Sequence, residues 1–146
     1  MAKRFTLIEA GRLLPQVEGS IRKAVACKQQ YQEAEQTLAS LLNRVQLSGG
    51  MVVDRQAVLE HRRRRDESAE VLRAAVESIH EFGCLVKDLD LGLVDFPTWY
   101  RGREVYLCWK MGETGIQFWH GVDEGFAGRK PIDRDFLDNH KGEEPN

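Results

Sequence analysis

His120 stands between Trp119 and Gly121, Asp123 follows three positions later, and Cys108 lies on the strand-like segment before them. Thiolate, imidazole and carboxylate together can bind a transition metal ion, so Cys108, His120 and Asp123 are weak candidate metal ligands. No paired spacing of the HxxxH or CxxC kind supports that set, and a single histidine at a strand end is more often a hydrogen-bonded structural residue. Carboxylates offer a second chemistry. Asp88, Asp90, Asp95, Glu104 and Glu113 could supply a general acid and a general base if unequal burial separated their pKa values. Lys87, Arg101, Arg103, Lys110 and Arg129 lie close to them in sequence, and ion pairs fixing the loops of a small sheet would use the same residue types. Cys108 as a nucleophile would need His120 as its base; a buried, inert cysteine is the competing reading. Residues 125–130, GFAGRK, could cradle an anion but lack either established phosphate-loop pattern. Trp99, Trp109 and Trp119 are expected mostly to fill a core, with at least one available for a recognition surface. The ligand-binding candidates are therefore Asp88, Asp95, Arg103, Glu104, Cys108, Glu113, Trp119, His120, Asp123 and Arg129. No pattern assigns a catalytic role or a cofactor.

These residues need a scaffold, and the sequence divides accordingly. Val105, Leu107 and Trp109 alternate with Glu104, Tyr106, Cys108 and Lys110, the period of two expected of a strand with unlike faces. A turn over 111–115 leads to a second alternating run through Phe118 and His120, so two antiparallel strands follow. Residues 85–87 and 93–96, ending at Pro97, are further strands, and 100–103 is a tight turn. Three or four strands with one face covered by helix make a stable meander.

Upstream, Thr6 and Glu9 have the capping-box spacing that starts a helix. Pro15 predicts a short helix, a kink and then a long one. Ala10, Val17, Ala24, Tyr31, Leu38 and Val45 keep a seven-residue step, with Leu13, Cys27, Ala34 and Leu41 three positions on, a coiled-coil-like seam. Ser48-Gly49-Gly50 ends this helix, Asp54 or a neighbour caps a second, and Gly83 terminates it. Val58, Ala69, Leu72, Ala75, Val76, Ile79 and Phe82 form the second apolar stripe. The short connection predicts an antiparallel hairpin.

The 146 residues, 42% of them hydrophobic, suffice for one domain. The expected layout is a single domain over 1–146 with a helical arm over 6–83, a β-rich aromatic head over 84–132 and a polar, partly disordered tail over 133–146. The formal net charge of -2 argues against a dedicated nucleic-acid binder. Arg62, Arg63, Arg64 and Arg65 are the one run that could touch RNA, although Arg62 and Arg65 would interrupt the seam, and acidic neighbours favour a solvated face. Three cysteines without metal or disulfide spacing fit a reducing cytoplasm. Neither a signal peptide nor a membrane span is expected.

VKDLDLGLVDFP, GREVYLCWKMGE and FWHGVDEGFAGRKPI, with FTLIEAGRLLP near the N-terminus, closely resemble the small bacterial proteins grouped as the domain of unknown function 2203 family. The resemblance covers nearly the whole chain. It implies a shared architecture and a cytoplasmic bacterial setting, and no established activity. The reading of the residues is an α+β protein, a long antiparallel helical hairpin with a small antiparallel β-meander at its base. It would act as a self-associating scaffold, adaptor or binding module, a homodimer or the partner of another protein. A small-molecule or metal-dependent enzyme with its site in the head is the alternative.

Overall fold

The computed structural model describes residues 3–47 and 55–143, which form an α+β fold. The chain divides into two compact units: Met1–Arg22 with Val76–Asn146, and Lys23–Ala75. No helix of the described residues is long and apolar enough to cross a membrane.

Helix α1 runs over Leu7–Leu47 and α2 over Arg55–Glu81. The capping box forms as its spacing requires: the Glu9 N–H donates to Thr6 Oγ1 at 3.1 Å, and the Thr6 N–H donates to Glu9 Oε1 at 2.9 Å. Pro15 does not divide the helix. It lies inside one continuous 41-residue element, flanked by Leu14 and the fully buried Val17 and Ile21. Burying a side chain of that size contributes about 1.5–3 kcal/mol, enough for packing to offset the one backbone hydrogen bond that proline removes. At the other end, the Gly83 N–H donates to His80 O and the Cys84 N–H to Ile79 O. Gly83 has φ +96°, so α2 stops in the left-handed glycine cap its sequence suggests. The expected turn at Ser48-Gly49-Gly50 and the cap at Asp54 lie outside the described residues.

Within the unit Lys23–Ala75, Ala24, Cys27, Ala34 and Leu38 of α1 are buried, as are Ser68 and Ala75 of α2. Arg65 of α2 reaches across to Glu35 of α1 at 3.2 Å, one point where the two helices meet. Arg65 is half-buried, as a seam position should be, whereas Arg62 is exposed and His61 is the partly covered neighbour. Near the start of α1 the buried companions fall four positions after Ala10 and Val17, at Leu14 and Ile21; Leu13 is only partly covered.

The other unit carries the sheet: β1 (Leu85–Asp88), β2 (Leu93–Tyr100), β3 (Arg103–Lys110), β4 (Phe118–Gly121), β5 (Lys130–Pro131) and β6 (His140–Lys141). Its order is β1-β2-β3-β4-β5, every pair antiparallel, with β6 joining β2 beside Trp99 and Tyr100. β2 and β3 are joined by Arg101 and Gly102, both at positive φ, the two-residue turn whose twist suits a hairpin. Strand β2 continues through Pro97 instead of ending there. The Pro97 carbonyl accepts from the Phe5 N–H at 2.7 Å. A residue's N and O point to the same side of a strand, so the missing donor faces away from β3 and no bond of that ladder is lost. At Gly92, between β1 and β2, φ is +67° and a Cβ would lie 2.5 Å from Met111 Cβ, so this close approach requires glycine.

The segment after 132 is not a polar tail over its described part. Asp133 caps helix α3 (Arg134–Asn139) by accepting from the Phe136 N–H at 2.8 Å, and β6 follows. Phe136, fully buried, stacks on Tyr100, Trp119 and His140 with ring centroids 4.8, 5.0 and 5.3 Å away.

Candidate functional site

Register places the chemistry. On one face of the sheet, Asp95 of β2 is paired with Cys108 of β3, and Tyr106 of β3 with His120 of β4. Side chains two apart share a face, so Asp95, Cys108, Tyr106 and His120 all project from the same side. The opposite face takes Val94, Phe96, Leu107, Trp109 and Trp119, the apolar halves of the same alternation. His120 Nε2 reaches across β3 to both carboxylate oxygens of Asp95, at 3.0 and 3.1 Å. Asp95, Cys108 and His120 are 1%, 1% and 4% exposed, and their donor atoms all lie within 4.8 Å of one another.

The second ring nitrogen fixes the orientation of the ring. His120 Nδ1 sits 2.8 Å from the Gly121 carbonyl oxygen, which can only accept, so Nδ1 carries a proton and donates. Nε2 is thereby turned on the carboxylate. Hydrogen bonding to Asp95, backed by Gly121, raises the His120 pKa from its ordinary imidazole value although burial works the other way. Burial, and then the negative Asp95, push the Cys108 thiol up to about 12. Cys108 is thus a protonated thiol at neutral pH, without the lowered pKa that a cysteine nucleophile requires. Burial first, then Glu104 and Asp95, raise Tyr106 as well.

This cluster forms the floor of a pocket of about 100 Å³. Lys87, Leu93, Tyr106, Val122, Glu124 and Phe126 line its wall. Lys87 Nζ lies 4.7 Å from the centroid of the Tyr106 ring. Glu124 accepts from the Gly121 N–H at 2.9 Å and from Lys130 at 2.5 Å, which ties the 121–128 loop to β4.

The remaining sequence candidates are engaged elsewhere. Asp123 is exposed, in the turn just beyond β4, and does not join the cluster; Asp95, brought in by strand register, takes the place it was expected to fill. Asp88 accepts from the Leu91 N–H and shapes the β1–β2 turn. Glu104 pairs with Arg4 at 2.5 Å, and Arg103 is exposed. Glu113 anchors the β3–β4 turn, accepting from the Lys110 N–H at 2.7 Å and from Arg129 at 2.6 Å. The Arg129 guanidinium stands 4.0 Å from the Phe118 ring centroid and 4.8 Å from that of Phe126. Trp119 belongs to the Phe136 aromatic stack.

A larger depression of about 720 Å³ is lined by Arg4, Trp99, Arg101 and Asn139, among others. Two of its cations are already paired, Arg4 with Glu104 and Arg101 with Asp135, and it is remote from the Asp95 cluster in the register of β2. The smaller pocket therefore has the stronger claim. In the arginine run, Arg63 pairs with Glu60 and Glu67, Arg64 with Glu60, and Arg65 with Glu35 and Asp66, the balanced face its acidic neighbours suggest.

Sequence reasoning missed Lys87, Tyr106, Val122, Glu124 and Phe126 as pocket walls. The available signal was alternation, which puts Tyr106 and Cys108 on one face; the pairing of Tyr106 with His120 depends on the length and shape of the 111–117 connection.

Residues 3–132 match the model of the family described as "Uncharacterized conserved protein (DUF2203)". No curated protein and no solved structure matches the chain.

Proposed function

The chain belongs to that family, and on this premise we propose that it is a binding module that holds a small ligand in the head, over Asp95, Cys108 and His120. The observation carrying this reading is the buried, hydrogen-bonded Asp95–His120 pair at the floor of a pocket. Burying two charges costs several kcal/mol per ion before their attraction is counted, and a sheet of this size could fill the same positions with apolar residues more cheaply. Such groups persist where a ligand uses them. The helical pair suits an adaptor: Leu42, Leu47 and Leu59 are 47%, 80% and 57% exposed, apolar side chains available to a protein partner or a second copy. Ala10, Val17, Ala24 and Leu38 of the seam are buried within the single chain. Cytoplasmic residence is part of the same proposal and rests on three free, buried cysteines.

Binding is preferred to turnover because Cys108 lacks a free base and the other carboxylates serve turns and ion pairs. Native mass spectrometry of untagged protein, purified without chelators, tests the proposal. Wild type and Asp123→Asn are expected to carry the same stoichiometric added mass, absent from His120→Gln. No added mass, or one retained by His120→Gln, would overturn it; the same spectrum reports subunit number.

A further inference from the structure

We propose that the ligand of this site includes a divalent transition metal ion of the zinc class, held by Asp95 carboxylate, Cys108 Sγ and His120 Nε2, with a fourth position open to the pocket. The inference rests on the binding-module reading above and narrows it.

Four observations converge. The three donors come from three adjacent strands and approach within 4.8 Å of one another. With Zn–S near about 2.3 Å and Zn–N or Zn–O near about 2.0–2.2 Å, a tetrahedral ion needs its donors roughly 3.3–3.7 Å apart. His120 Nε2 and Asp95, now 3.0 Å apart, would open by a few tenths of an ångström, and Cys108 Sγ starts within 4.8 Å of both. Second, the Gly121 carbonyl at 2.8 Å from Nδ1 is the outer hydrogen bond that metal-binding histidines generally make, fixing the tautomer and aiming the Nε2 lone pair. Third, one thiolate, one imidazole and one carboxylate form a borderline-soft set. It suits zinc or cobalt and excludes magnesium and calcium, which demand mostly oxygen. Fourth, three protein ligands beside a cavity of about 100 Å³ leave room for water or another small exchangeable ligand, the arrangement that separates open sites from closed structural ones.

Coordination takes one proton from Cys108 Sγ and one from His120 Nε2, both released to solvent, while Nδ1 keeps its proton on Gly121. The two positive charges of the ion then face two anionic ligands, Asp95 and the Cys108 thiolate, so the exchange of two protons for the ion leaves the net charge of the site unchanged.

Cobalt(II), a spectroscopic substitute for zinc, provides the test on the full chain. Wild type is expected to bind one equivalent, with ligand-field bands of tetrahedral intensity and a near-ultraviolet thiolate-to-cobalt charge-transfer band, both displaced by zinc. Cys108→Ser should abolish the charge-transfer band. His120→Gln should weaken affinity at least about tenfold, and Asp123→Asn should leave the spectrum unchanged. Circular dichroism of each variant separates loss of ligand from loss of fold. A wild-type spectrum without these bands, or a charge-transfer band surviving in Cys108→Ser, refutes the metal site. If cobalt fails to bind while native spectra show an organic mass lost in His120→Gln, the metal inference falls and the binding-module reading stands. If neither binds, both fall.

Discussion

Replacing His120 with alanine is expected to cost the metal-free protein about 3–5 kcal/mol of unfolding free energy. Asp95 is 1% exposed, and His120 is the cation within hydrogen-bond distance of its carboxylate. Removing the imidazole leaves a buried carboxylate with the thiol of Cys108, a weak donor, among its remaining neighbours. The sign of the pH effect follows from His120 being held above its ordinary value. Stability from the pair is fully present below the unfolded imidazole pKa of about 6.5 and is lost as pH rises through the raised folded value. Urea unfolding in chelator-containing buffer should therefore be measured slightly below that pKa. The double variant Asp95→Asn/His120→Ala, which removes the charge along with its partner, should be less destabilised than His120→Ala alone. A single-variant cost below about 1 kcal/mol would mean that Asp95 is not buried with His120 as its counter-ion.

Phe136→Ala is expected to cost about 3–5 kcal/mol, the range for truncating a fully buried phenylalanine. The ring is 0% exposed and stacks on Tyr100, Trp119 and His140, so the cavity would open among three aromatic side chains from three strands. Each of these stacks adds its own increment beyond area burial. The denaturation midpoint should fall with no change in slope. A shift of less than about 1 kcal/mol would mean that 133–143 rests loosely on the sheet.

Much of this architecture could be read from local pattern because local physics decides it. The Thr6–Glu9 capping box, the Gly83 helix stop and the Arg101–Gly102 hairpin turn each depend on two or three neighbouring residues. The alternation through Val105, Leu107 and Trp109 needs nothing beyond the strand period. Expectations failed where a distant segment changed the outcome. Pro15 breaks no helix because Leu14, Val17 and Ile21 bury on either side of it. Pro97 breaks no strand because its bare nitrogen faces away from β3. Helix α3 was hidden because only Phe136 and Leu137 interrupt a polar stretch, although Asp133 is a good N-cap residue.

The site divides the same way. Asp95, Cys108 and His120 each stood out by residue type, but a carboxylate near in sequence, Asp123, drew attention from Asp95, which lies 25 positions from His120. Only the joint register of β2, β3 and β4 brings the three to one face, and register depends on turn geometry that composition does not encode.

The most direct test of a metal site at this position is a backbone amide NMR titration of the metal-free protein with zinc. Saturating shifts are expected at one equivalent, confined to Asp95, Cys108, His120, Gly121 and Val122 and to Lys87 and Phe126 on the pocket wall, with the amides of Lys23–Ala75 unmoved. Shifts centred on Asp88, Asp90 or Asp123, or none at all, would contradict it.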